Sequence, residues 1–460
     1  MVRKKKELNE EELKKGARKH SIKEGIFATV RSSLGDNYIS PFAIAINASN
    51  PMVAMFTAIS GLLGPLSQTF GSGLLKKHSR KSILLKTVFF ESLMWLPLIA
   101  IAILFYKGIL TNLLPILMIT FFGLYVIFAN MGHPAWFSWM GDITDKKHRG
   151  RYFSKRNVLM TFVTVVLAII ASFFLDYFKS KEIVMLGFII FFSLAFLARL
   201  ISWHAFKTQY EPKVKIRKES YFSYWSFLKQ APKNNFGKFT LFRSTLGLVN
   251  GISGPLVAIY LLRYLEFSYS KYMIIILSAS VFAIFVLELW GKFADRFGNY
   301  RTLLITAIFI PLTPILLILS PNPFYLIFVP RLVAGISWAG FNLATGNFIY
   351  DNVGKQKRGL AVSYFNLTWG IGVFIGAGIS ALLIKYVHTT WIEPLFLIFI
   401  VGTFARMIVV FFGLNSLKEV RKIKKFKGIK SMEDLVLKEA KPTITEEIHQ
   451  ILHIGKYLKA

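Results

Sequence analysis

Long apolar runs recur along this chain, each about 20 residues or more. They fall at 24–48, 52–74, 83–105, 112–140, 157–177, 182–205, 237–262, 271–293, 302–320, 323–350, 360–386 and 391–414. About 20 apolar residues are needed to cross the hydrocarbon of a bilayer. Lipid offers no partner to backbone N–H and C=O groups, so each crossing has to be a helix. The expectation is an all-α membrane protein with twelve transmembrane helices. A chain that is 54% hydrophobic and 17% charged fits no ordinary soluble domain.

The formal net charge of +32 would suit a nucleic-acid binder, but its distribution argues otherwise. Lys and Arg crowd the segment before the first span, every second loop and the tail, while the alternate loops carry few. That is the positive-inside bias, and it places both termini in the cytoplasm of a plasma-membrane protein. Some of these cations are expected to hold anionic lipid head groups, and no nucleic-acid partner is expected. Residues 1–20 contain no apolar stretch and the first span carries Arg31 and Asp36, so it is read as a retained helix rather than a cleaved signal. There is no cysteine, which removes thiol chemistry.

The two halves repeat. FATVRSSLG from Phe27 to Gly35 matches FTLFRSTLG from Phe239 to Gly247. Asp142 with Arg149-Gly150 matches Asp351 with Arg358-Gly359, Ala198-Arg199 matches Ala405-Arg406, and Gly71 with Lys81 matches Gly291 with Arg301. Four matches in one order imply a duplicated six-helix unit. The expected organisation is a basic N-terminus (1–23), a first bundle (24–205), a linker (206–236), a second bundle (237–414) and a basic tail (415–460). In the linker, Tyr221–Leu228 reads as membrane-surface material. In the tail, Thr443–Leu458 reads as an amphipathic helix, with Thr443 and Glu446 at capping-box spacing and Ile444, Ile448, Ile451 and Leu452 on one face.

The loop Gly291 to Arg301, GKFADRFGNYR, joins two of these spans. Its pattern G-x-x-x-D-R-x-G-x-x-R resembles the signature loop between the second and third helices of each half in the major facilitator superfamily of secondary transporters. The resemblance covers roughly residues 22 to 415 and implies two pseudo-symmetric six-helix bundles around a central cavity. Gly291 would let the helix end approach a neighbour, Asp295 would face a helix N-terminus, and Arg296 and Arg301 the cytoplasm. The first-half copy, Gly71 to Lys81, has Leu75 in place of the acid. The family's R-x-x-x-G pattern is absent from the fourth span and stands in the tenth, Arg331 to Gly335. The Gly-Pro motif of drug antiporters is missing from Val158–Tyr177.

A charge inside a bilayer is costly and marks a candidate site. Asp36 faces Leu248 in the repeat, so the shared helix geometry does not need the acid; it is a proton-coupling candidate, or else a structural partner of Arg31. The resemblance places the first, fourth, seventh and tenth helices around the cavity. Asn37, Tyr38, His133, Trp136, Asn250, Trp338 and Asn342 on them could orient a solute. Arg331 could attract an anionic one or snorkel to the surface. The cytoplasmic charges Asp142, Arg149, Asp351 and Arg358 could close an inner gate. Glu288 precedes Gly291 as Gln68 precedes Gly71, which suggests an interhelical hydrogen bond near that gate. Glu91 lies on a span outside the cavity and is expected to pair locally. Arg31, Arg243, Arg199 and Arg406 are matched in both halves and read as structural.

No Walker loop, H-E-x-x-H or G-x-S-x-G motif is present. His449 and His453 are too few to hold a metal. No catalytic residue, cofactor or resident metal is therefore expected. The expected function is transport of a small solute by alternating access, coupled to a proton or another ion, by a monomer. The alternative is a membrane scaffold or receptor that keeps the fold without transporting.

Overall fold

The computed structural model describes residues 10–144, 149–212, 222–354 and 357–420. The tail helix expected over Thr443–Leu458, its two histidines, and Tyr221 lie outside them, as does the side chain of Arg149. Every regular element among the described residues is helical. The long helices are α1 (Glu10–Leu34, continued as Ile39–Ala45), α2 (Asn50–Leu74), α3 (Arg80–Tyr106), α4 (Leu114–Ile143), α5 (Arg149–Ser180) and α6 (Val184–Thr208). They are followed by α7 (Asn235–Tyr264), α8 (Tyr269–Phe297), α9 (Asn299–Ile318), α10 (Pro323–Asn352), α11 (Arg358–Tyr386) and α12 (Pro394–Asn415). Eleven of the twelve are long and apolar enough to cross a bilayer; α1, with its charges and its break, is the exception.

The starts of the helices are built locally. Ser79, Asn234 and Ser268 each accept a hydrogen bond from the backbone N–H three residues on, capping α3, α7 and α8. Between α8 and α9 the chain reverses at Gly298, whose φ of +97° suits glycine and few other residues. Within α10, Pro330 cannot donate to the preceding turn; the helix widens to a π turn over Ile327–Arg331 and resumes as an α-helix at Leu332.

The chain folds as two compact units: residues up to Phe42 with Leu63–Lys218, and Ala43–Leu62 with the residues from Glu219 onward. The division departs from the expected boundary in one place, since Ala43–Leu62 packs with the second unit rather than the first. Arg263 there donates to the Asn50 side chain and the Ala48 carbonyl, and Gly61 lies against Val373. The linker's short helix, Tyr224–Gln230, buries Phe227 in an aromatic cluster with Phe236 and Tyr364. Trp225 on the same helix is left exposed.

Candidate functional site

The first unit contains a continuous run of alternating charges. Glu24, Arg31 and Asp36 come from α1, Glu91 from α3, Arg156 from α5 and Arg199 from α6. On a regular helix Arg31 and Asp36, five residues apart, would point about 140° away from each other. The chain leaves helical geometry at Gly35 and makes a single 3-10 turn over Asp36–Tyr38, which brings the two side chains together. Arg31 donates to Asp36 and to the Tyr125 oxygen, and the Tyr125 hydroxyl donates to the other Asp36 oxygen.

From there the charges continue inward. Arg31 Nη2 lies 3.5 Å from Glu91 Oε1, and Glu91 Oε2 accepts from Arg199 Nη2 at 2.6 Å. Arg199 Nη1 is 3.7 Å from Glu24, which also accepts from Ser202 at 3.2 Å and from Arg156 at 3.4 Å. Arg156 in turn lies over the Trp136 ring, 4.9 Å from its centroid. Three carboxylates thus meet three guanidinium groups, and the net charge of the run is zero. A buried ion is tolerable only when paired and hydrogen-bonded in this way. The run is sealed at its middle and open at one end: the Glu91 side chain is 1% exposed, the Asp36 side chain 37%.

The second unit places the matched arginines differently. Arg243, the counterpart of Arg31, sits among the rings of Trp338, Phe341 and Trp369, with centroid distances of 5.5, 5.2 and 5.2 Å. Arg406, the counterpart of Arg199, donates to Ser253 Oγ at 2.6 Å, Thr313 Oγ1 at 3.2 Å and the Asn250 carbonyl at 3.4 Å. No acid among the described residues pairs with either, or with Arg331, whose Nε and Nη2 are buried without a partner.

Several expected residues stand elsewhere. Tyr38 is fully buried, its hydroxyl on the Ala168 carbonyl at 2.6 Å, so it ties α1 to α5 instead of facing a solute. Glu288 pairs with Lys292 one turn along its own helix, at 3.2 Å, not across helices. Gln68 does bond across, to Asn130 at 3.1 Å, with His133 at 3.4 Å. Gly291 has open space where a Cβ would stand, so the close approach expected there is absent. It occurs at Gly71 instead, where a Cβ would lie 2.0 Å from the Met131 carbonyl oxygen. Asp295 and Arg296 are exposed, the latter over the Phe297 ring; Arg301 is half-buried and Asn342 exposed. The buried Nδ2 of Asn37 and Oδ1 of Asn250 have no partner.

Asp142 and Asp351 are held by residues that no sequence motif marked. Asp142 accepts from Arg80, the first residue of α3, at 2.6 Å. Asp351 accepts from Asn299, the first residue of α9, also at 2.6 Å. Arg358 turns to the Tyr350 and Val353 carbonyls instead of to Asp351. Glu24, Tyr125, Arg156 and Arg80 were therefore missed. Glu24 and Arg156, charges at the edges of apolar spans, were the available sign of the ion pairs; nothing in the sequence marked Tyr125.

Twelve long helices in a sequence repeat, eleven of them apolar enough to cross a bilayer, define a polytopic membrane protein. The sequence profile of the Major Facilitator Superfamily matches residues 25–249 and again 239–453, and the chain belongs to that family. No curated protein sequence matches it. Among solved structures it is similar to the nucleoside transporter NupG, at 12% identity and a TM-score of 0.62, over 88% of this chain and 98% of that one. It is also similar to a bacterial homologue of the iron transporter ferroportin in an inward-facing state, at 14% identity and 0.63, over 87% and 98%. A third is a bacterial homologue of the human lysosomal transporter Spinster, at 15% identity and 0.56, over 87% and 94%. At such identities the likeness is one of fold.

Proposed function

We propose that this chain, acting as a monomer, carries a small solute across the plasma membrane by alternating access, with both termini in the cytoplasm and proton binding at Asp36 as the coupling step. The observation that carries the coupling is the position of Asp36. It is the accessible end of an otherwise sealed charge run, and its repeat counterpart, Leu248, has nothing to titrate. A proton on Asp36 would cancel its attraction for Arg31 and leave that guanidinium to Glu91 alone. Asp36 and Glu91 reach α1 and α3, so protonation would change what holds these helices. In this reading Asn37, His133, Trp136, Asn250, Arg331 and Asn342 face the solute, whereas the bonds to Asp142 and Asp351 hold the cytoplasmic ends. The similar folds include a nucleoside transporter and a homologue of an iron transporter, so substrate choice has to rest on side chains.

The test is proton movement in proteoliposomes loaded with a pH-sensitive dye and challenged with sugars, amino acids, organic acids, nucleosides and cationic drugs. A solute that drives an internal pH change with the native chain and none with Asp36→Asn supports the assignment. Unaltered proton movement in the variant would remove Asp36 from the coupling step. Solute uptake without any proton movement would leave transport standing and coupling refuted.

A further inference from the structure

We propose that the second unit carries the binding face for a solute bearing a carboxylate or phosphate group, with Arg243 as its anchor and Arg331 as a second contact. The inference rests on the transport reading and names the substrate class.

The first observation is a charge imbalance between units. In the first unit each arginine of the run is matched by a carboxylate. In the second, Arg243 is about nine-tenths buried yet makes no hydrogen bond or ion pair with any described residue; three aromatic rings surround it. Ring faces attract a guanidinium but leave its N–H donors unused. The charge of Arg243 is held by ring faces and not by a counter-ion, so an anion that reached it would meet unused N–H donors.

The second observation is the stripe that α10 presents. Arg331, Trp338 and Thr345 are spaced by seven residues, which keeps them on nearly one face, about 10 Å apart in turn along the axis. Trp338 is one of the rings around Arg243, so Arg331 stands on the same face as the Arg243 cradle. Two Arg331 nitrogens and the Thr345 hydroxyl are buried without partners, and so is Oδ1 of Asn250, seven residues beyond Arg243 on α7. The Arg331 nitrogens are donors for an oxyanion, and Asn250 Oδ1 is an acceptor for the rest of a polar solute. Arg406 is excluded because it is already bonded to Ser253, Thr313 and Asn250. A guanidinium grips carboxylate or phosphate through two parallel N–H bonds, and the Arg243 guanidinium has both of them to give.

The experiment is the thermal stability of the detergent-purified full chain at fixed ionic strength. Probes are inorganic phosphate, succinate, AMP, neutral uridine and cationic choline, with phosphatidylglycerol as a separate arm. At least one soluble oxyanion is expected to raise Tm with dose, while uridine and choline do not. Arg243→Gln should weaken that binding about tenfold or more, with Arg243→Lys intermediate, because charge survives while the two-pronged grip is lost. Arg331→Gln should weaken it as well. Arg406→Gln should lower Tm yet keep the anion-dependent rise.

The proposal is overturned if no soluble oxyanion acts, if uridine acts equally, or if the rise persists in both Arg243 variants. It is also overturned if only phosphatidylglycerol acts, since the ligand would then be a lipid. Counterflow of the bound anion in proteoliposomes separates this inference from the transport reading. An anion bound but never moved refutes transport and leaves the site; a neutral solute moved with no anion bound does the reverse.

Discussion

Glu91 and Arg199 meet at 2.6 Å in the sealed middle of the first unit, on helices α3 and α6. Neither could be tolerated there alone. Glu91→Leu would strand Arg199 and weaken the hold on Arg31, so it should cost about 3–5 kcal/mol. The double change Glu91→Leu with Arg199→Leu should recover part of that loss. Melting curves of both singles and the double test this; a double no better than the sum of the singles would mean the two are not coupled.

Tyr125 links Asp36 and Arg31 through one hydroxyl. Tyr125→Phe keeps the ring against Trp95 and removes only the oxygen. A loss of about 1–3 kcal/mol is expected, that of stranding partners of a charged hydrogen bond. An unchanged Tm would mean that Arg31 and Asp36 hold each other without it.

The glycines of the two signature loops should respond in opposite ways. A methyl at Gly71 meets the Met131 backbone oxygen at 2.0 Å, which cannot be relieved by a side-chain rotation. Gly71→Ala should cost about 1–3 kcal/mol as α2 is pushed from α4. Gly291 has nothing within reach, and Ala favours a helix over Gly by about 1 kcal/mol, so Gly291→Ala should be neutral or stabilising. Equal Tm losses in the two variants would contradict this.

Arg80 and Asn299 make the same contact in the two units, each the first residue of a helix and each donating at 2.6 Å to the acid that ends another. Arg80 also holds the Ser138 and Pro212 carbonyls. Arg80→Ala should therefore lower Tm more than Asn299→Ala. The former removes a charge partner of Asp142 and several hydrogen bonds, about 2–4 kcal/mol in all, against about 1–2 kcal/mol for the neutral amide. The reverse order in melting would refute the comparison.

What the sequence made readable was periodic or local. Apolar length identified the helices, because lipid leaves a backbone few choices, and the FATVRSSLG and FTLFRSTLG pair revealed the duplication. Partner choice was harder to read. Glu24 and Arg199 are far apart in the chain, and only packing of α1 against α6 makes them neighbours. Arg31 and Arg243 looked equivalent, yet Glu91 beside the one and Trp338 and Trp369 beside the other lie on other helices. Gly291 and Gly71 likewise share a motif position, but only one has a backbone across from it.

The polarity of α1 bears on how the protein is made. Glu24, Arg31 and Asp36 each resist transfer from the insertion machinery into lipid, by roughly 2.5–3.5 kcal/mol for Arg or Asp near a helix centre. The counter-ions on α3, α5 and α6 emerge from the ribosome only later. α1 is thus costly to place in lipid before α3, α5 and α6 supply its counter-ions. It must wait at the translocon, or in an interfacial position, until the rest of its unit arrives to neutralise it. Commitment of α1 to the membrane is then tied to the helices that carry its counter-ions.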